Sequence, residues 1–360
     1  MNGYKVIYQI KSPVITPFQA DTIFGHLCWA IKYIKGEESL IDFLKIYDHE
    51  KPPLILSDGF PEGFLPMPIL RPLTIDEEDT KLINIYFGAD KKNKIKGLTF
   101  LKRLKAQPFI STAILNELEG SLSYFRLYEK VLEGKYCPSW FRKRACSEKE
   151  VKNCPLINPE SSSVCNYLKK CKEDNLVFHN TINRVTGRVE EPGGLFTEIE
   201  TYYPKEEANY EIYLQTTYFS LEEIQKYFSF IGENGYGKDK SIGKGYLELK
   251  DIQQYTLFEP QDSNGFMTLS SFIPAEDDPI EGFYEVFTKY GKLGGDYAKS
   301  GIGGEGLNPF KKPLLMFKAG STFLINHKSK NYYGRLVSHI HSSPQIRQYG
   351  YAFPLKIKLE

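Results

Sequence analysis

Residues 235–245 carry the densest chemical signal in this chain. They hold four glycines (Gly235, Gly237, Gly243, Gly245) and three lysines (Lys238, Lys240, Lys244), with Tyr236 and Ser241 among them. Glycine lets backbone N–H groups approach a ligand closely and adopt positive φ. Nearby ammonium groups suit phosphate, and a serine hydroxyl adds a further contact. The combination predicts a cradle for a sugar–phosphate backbone. It is not a mononucleotide P-loop, because no Gly-Lys-Ser/Thr opens a helix.

A second group of residues lies upstream: His179, Asn180, Ile182, Arg184, Thr186, Gly187 and Arg188. This polar, glycine-punctuated stretch leads into a strand pattern, which is the signature of a hairpin arm. His179, Asn180 and Arg184 could stack on or hydrogen-bond to unpaired bases. Other cations are scattered. Arg71 sits in a Pro-rich stretch, Lys102 and Lys105 belong to a run of basic residues from 91 to 105 with no acid, and Lys311 and Lys312 are adjacent. Each reads either as an outer phosphate contact or as part of a solvated face.

Five of the six cysteines crowd together: Cys137, Cys146, Cys154, Cys165 and Cys171. An odd cluster argues against a disulfide framework in a cytosolic chain. Four of the five could hold a structural zinc, although no Cys-x-x-Cys knuckle is present. Free cysteines in a poorly packed insertion are the alternative. A metal would help a segment with so little apolar periodicity to fold.

No catalytic set declares itself. There is no His-Glu-x-x-His and no Gly-x-Ser-x-Gly. His339 and His341 alternate in a strand pattern, which would place both on one face. His26 falls in a helical pattern and reads as a packing histidine. As a general acid or base for RNA cleavage it would need a charged partner and a positioned 2′-hydroxyl. Adjacent acids such as Asp277 and Asp278 read as surface residues. A nonenzymatic role is favoured.

These groups need elements to position them. Tyr4–Lys11 alternates as a strand. Phe18–Ile31 follows as an amphipathic helix that Asp21 or Thr22 could cap. A short helix (Leu40–Ile46) and a strand (Leu54–Gly59) come next. Ser220-Leu221-Glu222-Glu223 resembles a capping box opening a helix to Ile231. The glycine loop then runs into a strand, Tyr246–Ile252, and the last hundred residues read as β-rich. The order fits an α+β chain with two ferredoxin-like (RRM-like) units. The expected division is an N-terminal ferredoxin-like domain over 1–135, the Cys-rich insertion over 136–178, and the arm with a C-terminal ferredoxin-like domain over 179–360.

Composition sets outer limits. The chain has 360 residues, 41% hydrophobic and 25% charged, with a net charge of +1. That is enough apolar content for real cores, and it is no polycation, so RNA affinity must come from local patches. No apolar run approaches the length of a membrane span, and the N-terminus alternates rather than forming a signal peptide. The reading is cytoplasmic, with no membrane partner.

With these motifs in order, the chain resembles the RAMP superfamily of CRISPR proteins. Thr16-Pro17-Phe18, Ala20–Gly25 and Leu27-Cys28-Trp29 are similar to the N-terminus of that superfamily. His179-Asn180-x-Ile182-x-Arg184-x-Thr186-Gly187 followed by Gly193–Phe196 looks like its RNA-contacting arm, and Gly235–Gly245 like its glycine-rich loop. Pro309–Met316, ending in Ala319-Gly320-Ser321, resembles the branch formed by the fourth Csm subunit of type III-A complexes. The Cys-rich insertion departs from that pattern. The resemblance implies two packed RRM-like domains and binding of the 5′ repeat-derived handle of a crRNA, with target RNA near the arm. It also implies docking against the large polymerase/cyclase subunit and the neighbouring backbone RAMP subunit, with no nuclease centre. Two alternatives stay open: a metal-independent crRNA-processing endoribonuclease using His26, and an adaptor that no longer touches RNA.

Overall fold

A computed structural model describes residues 1–48, 51–133, 172–189, 194–203, 209–255, 257, 260–298, 308–325 and 330–360. The Cys-rich insertion, including Cys137, Cys146, Cys154, Cys165 and Cys171, lies outside them. In chain order the main elements are β1 (Asn2–Ile10), α1 (Ala20–Lys35), α2 (Glu37–Ile46), β2 (Leu54–Pro61), α3 (Lys91–Lys105), α4 (Thr112–Glu117), α5 (Tyr124–Glu133), β3 (Glu173–Asn180), β4 (Leu195–Tyr202), β5 (Asn209–Thr216), α6 (Leu221–Asn234), β6 (Leu247–Gln254), β7 (Gly265–Thr268), β8 (Thr322–Leu324) and β9 (Pro354–Leu359).

Four of these strands make one sheet in the order β2-β5-β1-β6. β1 lies antiparallel to both β5 and β6, with Tyr8 opposite Tyr210 and Ile10 opposite Leu247. The sequence β1-α1-β2 and then β5-α6-β6, with this strand order, is a ferredoxin-like βαββαβ unit. Alternation explains the layer. Tyr4, Val6, Tyr8 and Ile10 point to one face and are buried against Ile23, Phe24, Leu27 and Ile31 of α1 and Ile224, Tyr227, Phe228 and Ile231 of α6. Ser220 and Glu223 form the reciprocal capping box that starts α6.

This sheet takes two strands from each side of the boundary expected at 136–178. A second sheet also crosses it, with one strand from the N-terminal side and four from the C-terminal side. Its order is Gly282–Phe283, β8, β7, β9 and then Ser121–Leu122, which runs parallel to β9. Among the described residues, no α-helix lies between Gly265 and Glu360. The helical cover of the second core comes from the earlier segments α3–α5, through Phe100, Leu101, Leu104, Ile114 and Leu127. The second unit is therefore not a βαββαβ repeat of contiguous chain. Local patterning cannot show such pairing, because its partners lie far apart in sequence.

The start of α1 corrects the expected cap. Its first residue is Ala20, and neither Asp21 nor Thr22 caps it. The Ala20 amide donates to Asp58 Oδ1 at 2.8 Å. A register shift in β2 between Leu56 and Gly59 turns Asp58 inward. There it also accepts from the Ser271 amide (3.3 Å) and the Ser271 hydroxyl (3.1 Å), while its own amide donates to Leu269 O at 2.8 Å. One carboxyl group thus ties a helix start, the first sheet and the segment after β7. Burial raises its pKa to about 7. A carboxyl whose native pKa exceeds its unfolded value binds its proton more tightly in the folded state. Stability is then fully present at low pH and is lost as pH rises from about 4 to about 7, by at most about 1.4 kcal/mol per pH unit. Asp58→Asn keeps the acceptor and removes the titration. Its melting temperature should be flatter with pH over this range than that of the wild type, and an unchanged pH slope would refute the assignment.

Candidate nucleic-acid interface

The glycine loop follows α6 because Gly235 ends that helix at φ 80°. It folds back on itself: the Tyr236 amide donates to Gly245 O at 2.7 Å, and the Gly245 amide to Pro13 O at 2.8 Å. A side chain at 245 would place its Cβ 2.0 Å from Tyr236 O, with φ at +68°, so glycine is required there. Tyr236 is buried. Its ring stacks on Phe18 at 4.7 Å and its hydroxyl donates to Pro17 O at 2.8 Å. The loop is thereby pinned to the segment between β1 and α1.

Most of its amides face inward. The Gly237 amide donates to His26 Nε2 at 2.9 Å, and the Lys238 amide to Thr16 Oγ1 at 2.9 Å. Ile242, Gly243 and Lys244 donate to carbonyls of Asp239, Lys240 and Asp239. Among the described contacts, only the amides of Asp239, Lys240 and Ser241 have no partner within the chain. The cradle read from sequence therefore narrows to three consecutive N–H groups at the loop's tip, beside the Lys240 ammonium, whose pKa partial burial lowers.

The lysines are also partnered. β3 and β4 form a two-stranded arm, with His179 opposite Phe196 and Val177 opposite Glu198. One face of this arm meets the loop. Lys238 pairs with Glu198, and Lys244 Nζ lies 2.6 Å from Glu200 Oε2, a carboxylate with 1% of its side chain exposed. Lys238 also sits 5.8 Å over the Phe196 ring, which stacks on His179 at 5.3 Å. Glu198 and Glu200 were missed from sequence. Their signal was present, since acids at every second position of β4 must share one face.

The arm's tip differs. Asn183 Oδ1 accepts from the amides of Val185 and Thr186, Gly187 adopts φ +66°, and a bridge joins Ile182 to Val189. Arg184 and Arg188 are exposed at this turn, and Asn180 is exposed at the end of β3. The outlying cations scatter. Arg71 pairs with Glu77 at 2.8 Å and Lys105 with Glu78 at 3.0 Å, while Lys102 is exposed on α3. Lys311 points inward to Arg347 O (3.0 Å) and Gln348 Oε1 (2.8 Å), and burial lowers its pKa to about 8. Exposed Lys312 reaches His339 O at 3.2 Å.

Among the described residues, the histidines do not form an acid–base set. His26 Nε2 is already an acceptor, so the neutral ring carries its proton on Nδ1. Burial, with Lys240 nearby, lowers its pKa to about 4. His339 and His341 do not share a strand face as expected. The strand ends at Val337, His339 has φ +60°, and His341 Nε2 is 2.7 Å from Asn308 O. Asp278, read as a surface acid, is buried and accepts from the Ala275 amide at 2.9 Å and the Gly334 amide at 2.5 Å. His26→Ala should leave the Gly237 amide unpaired and cost about 1–3 kcal/mol. Thermal denaturation would show it, and His26→Gln, which offers a carbonyl oxygen, should recover part of the loss. A melting temperature unchanged in His26→Ala would contradict this role.

The family model described as the RAMP superfamily matches residues 7–248. No curated protein matches the chain in sequence. Among solved structures, the fold is similar to a chain in the Csm3-Csm4 subcomplex of the type III-A CRISPR-Cas interference complex, with a TM-score of 0.52, 15% identity, and coverage of 99% of this chain and 100% of that one. It is also similar to a chain in the Csm1-Csm4 cassette in complex with AMPPNP, with a TM-score of 0.51, 15% identity and 99% of each chain covered. The matched span runs from within β1 to the first residues of β6 and takes in α1, β2, the arm, β5, α6 and the glycine loop, and on that basis the chain belongs to the RAMP superfamily.

Proposed function

We propose that this chain is a non-catalytic subunit of a type III-A CRISPR RNA-guided complex. In this reading it binds the 5′ handle of a crRNA and links the large polymerase/cyclase subunit to the RAMP backbone. The observation that carries the reading is the end-to-end likeness of fold to chains in the Csm1-Csm4 cassette and the Csm3-Csm4 subcomplex. Two ferredoxin-like units, the second assembled from distant segments, belong to the same reading.

In this reading the work is divided among residues. The three open amides at 239–241 and the Lys240 ammonium face the handle's backbone. Arg184 and Arg188 at the arm's tip have no partner among the described residues and contact crRNA and nearby target RNA. Lys238 and Lys244 serve first to hold the arm. Pulling Lys244 onto a phosphate would leave the nearly inaccessible Glu200 carboxylate without its counter-charge, held only by the Tyr202 hydroxyl, which is costly. The arm's other face is apolar and exposed, with Leu176 at 58%, Phe178 at 67%, Leu195 at 67% and Ile199 at 56%. That face suits a neighbouring protein subunit better than RNA.

Arg184→Ala with Arg188→Ala should weaken crRNA retention in the co-expressed complex. It should also reduce the slope of log affinity against log salt by about 0.7 for each lost phosphate contact to single-stranded RNA. Lys238→Ala, Lys240→Ala and Lys244→Ala together should reduce retention too, with an arm more readily cleaved by protease. Full crRNA retention in both variants would overturn the handle-binding role.

A further inference from the structure

At the root of the arm three side chains from three segments converge. His179 on β3, Glu198 on β4 and Asp239 in the glycine loop each bring one donor atom to within 4.8 Å of the others. Two of these groups hold atoms for which the described residues provide nothing. His179 Nε2 and Glu198 Oε2 are both shut off from solvent, and neither has a hydrogen-bond partner. The Glu198 side chain is only 9% exposed. A buried, unpartnered carboxylate oxygen and imidazole nitrogen cost free energy unless something satisfies them. Lys238 does not do so, since it pairs with the other oxygen, Glu198 Oε1.

Glu198 and Glu200 are each paired with a lysine, while Asp239 has no ion-pair partner among the described residues. A cation is the occupant that answers an acceptor nitrogen and two carboxylates together. We propose that His179, Glu198 and Asp239 form a site for a divalent cation of the first transition series. The imidazole argues against magnesium or calcium, which prefer all-oxygen shells, and a mixed imidazole–carboxylate set suits manganese or zinc. The bound cation clasps the arm to the glycine loop. It also competes with the Lys238 ammonium for Glu198 and so frees that lysine. The site itself stands on these contacts alone and does not depend on the RNA-binding reading.

Manganese is the probe, because it disfavours the thiolates of the Cys-rich segment. Free Mn²⁺ is followed by electron paramagnetic resonance as the full-length, RNA-free protein is added. The wild type should remove about one Mn²⁺ per chain from the free signal, and Mn²⁺ should raise its melting temperature. Asp239→Asn suits a left-handed position, where asparagine is tolerated, and so preserves the fold. It should weaken binding roughly tenfold or more, as should His179→Ala. Lys238→Met should tighten binding, an effect that a nonspecific surface site would not show. A free signal unchanged by the wild type would overturn the proposal. So would Asp239→Asn and His179→Ala variants that bind as tightly as the wild type.

Discussion

The constraint on which this architecture depends is the placement of the first strand between two strands from beyond residue 208. β1 cannot complete its hydrogen bonds without β5 on one side and β6 on the other, and unpaired strand edges are costly when buried. That pairing brings the start of β6 alongside the end of β1. The loop that precedes β6 is then forced against residues 13–26, where Pro13, Thr16, Pro17 and His26 receive its donors. Asp58 adds the second restraint by fixing the start of α1 from β2. The glycine-rich segment is consequently a shaped turn with a defined interior rather than a free flap.

This shape changes what the segment can do. A run of glycines suggests amides exposed to a ligand. In the fold they mainly permit close packing of backbone on backbone, as at Gly245 against Tyr236. Two of the three lysines meet carboxylates on β4. Composition alone cannot distinguish a lysine facing solvent from one facing an acid forty residues upstream, because the pairing depends on how the arm docks. Three amides and one ammonium remain at the turn's apex, which is a smaller and more directional contact than the motif suggested.

Legibility followed the range of the interactions involved. The capping box at Ser220, the amphipathic faces of α1 and α6 and the strands of the first sheet were visible, because each depends on neighbours within a few residues. The Ala20–Asp58 contact, the burial of Lys311 and the inward turn of Asp278 were not, because each is decided by a partner far along the chain. The strand order carried the largest surprise. Sequence reading kept β1 and β2 with the helices that follow them, while the fold lends those helices, α3–α5, to the second core. The Glu198–Glu200 alternation lies between these cases. Its common face was readable, but the lysines it would meet were not.

A chain with a net charge of +1 can attract a polyanion only where cations and acids are separated in space. The fold separates them unevenly. At the arm's root, carboxylates neutralise the lysines and fix geometry instead of attracting phosphate. Along α3, seven basic residues stand without an acid in the helix, and Asp90 occupies its N-cap, where it accepts from the amides of Lys92 and Asn93. Lys105 and Arg71 are drawn off by Glu78 and Glu77 of the preceding turn, which leaves the first half of the helix as its most cationic part. The attractive field must therefore arise at the arm's tip, at the apex of the glycine turn and along the start of α3, while the root of the arm is electrostatically nearly spent. The paired lysines therefore hold the arm against the loop.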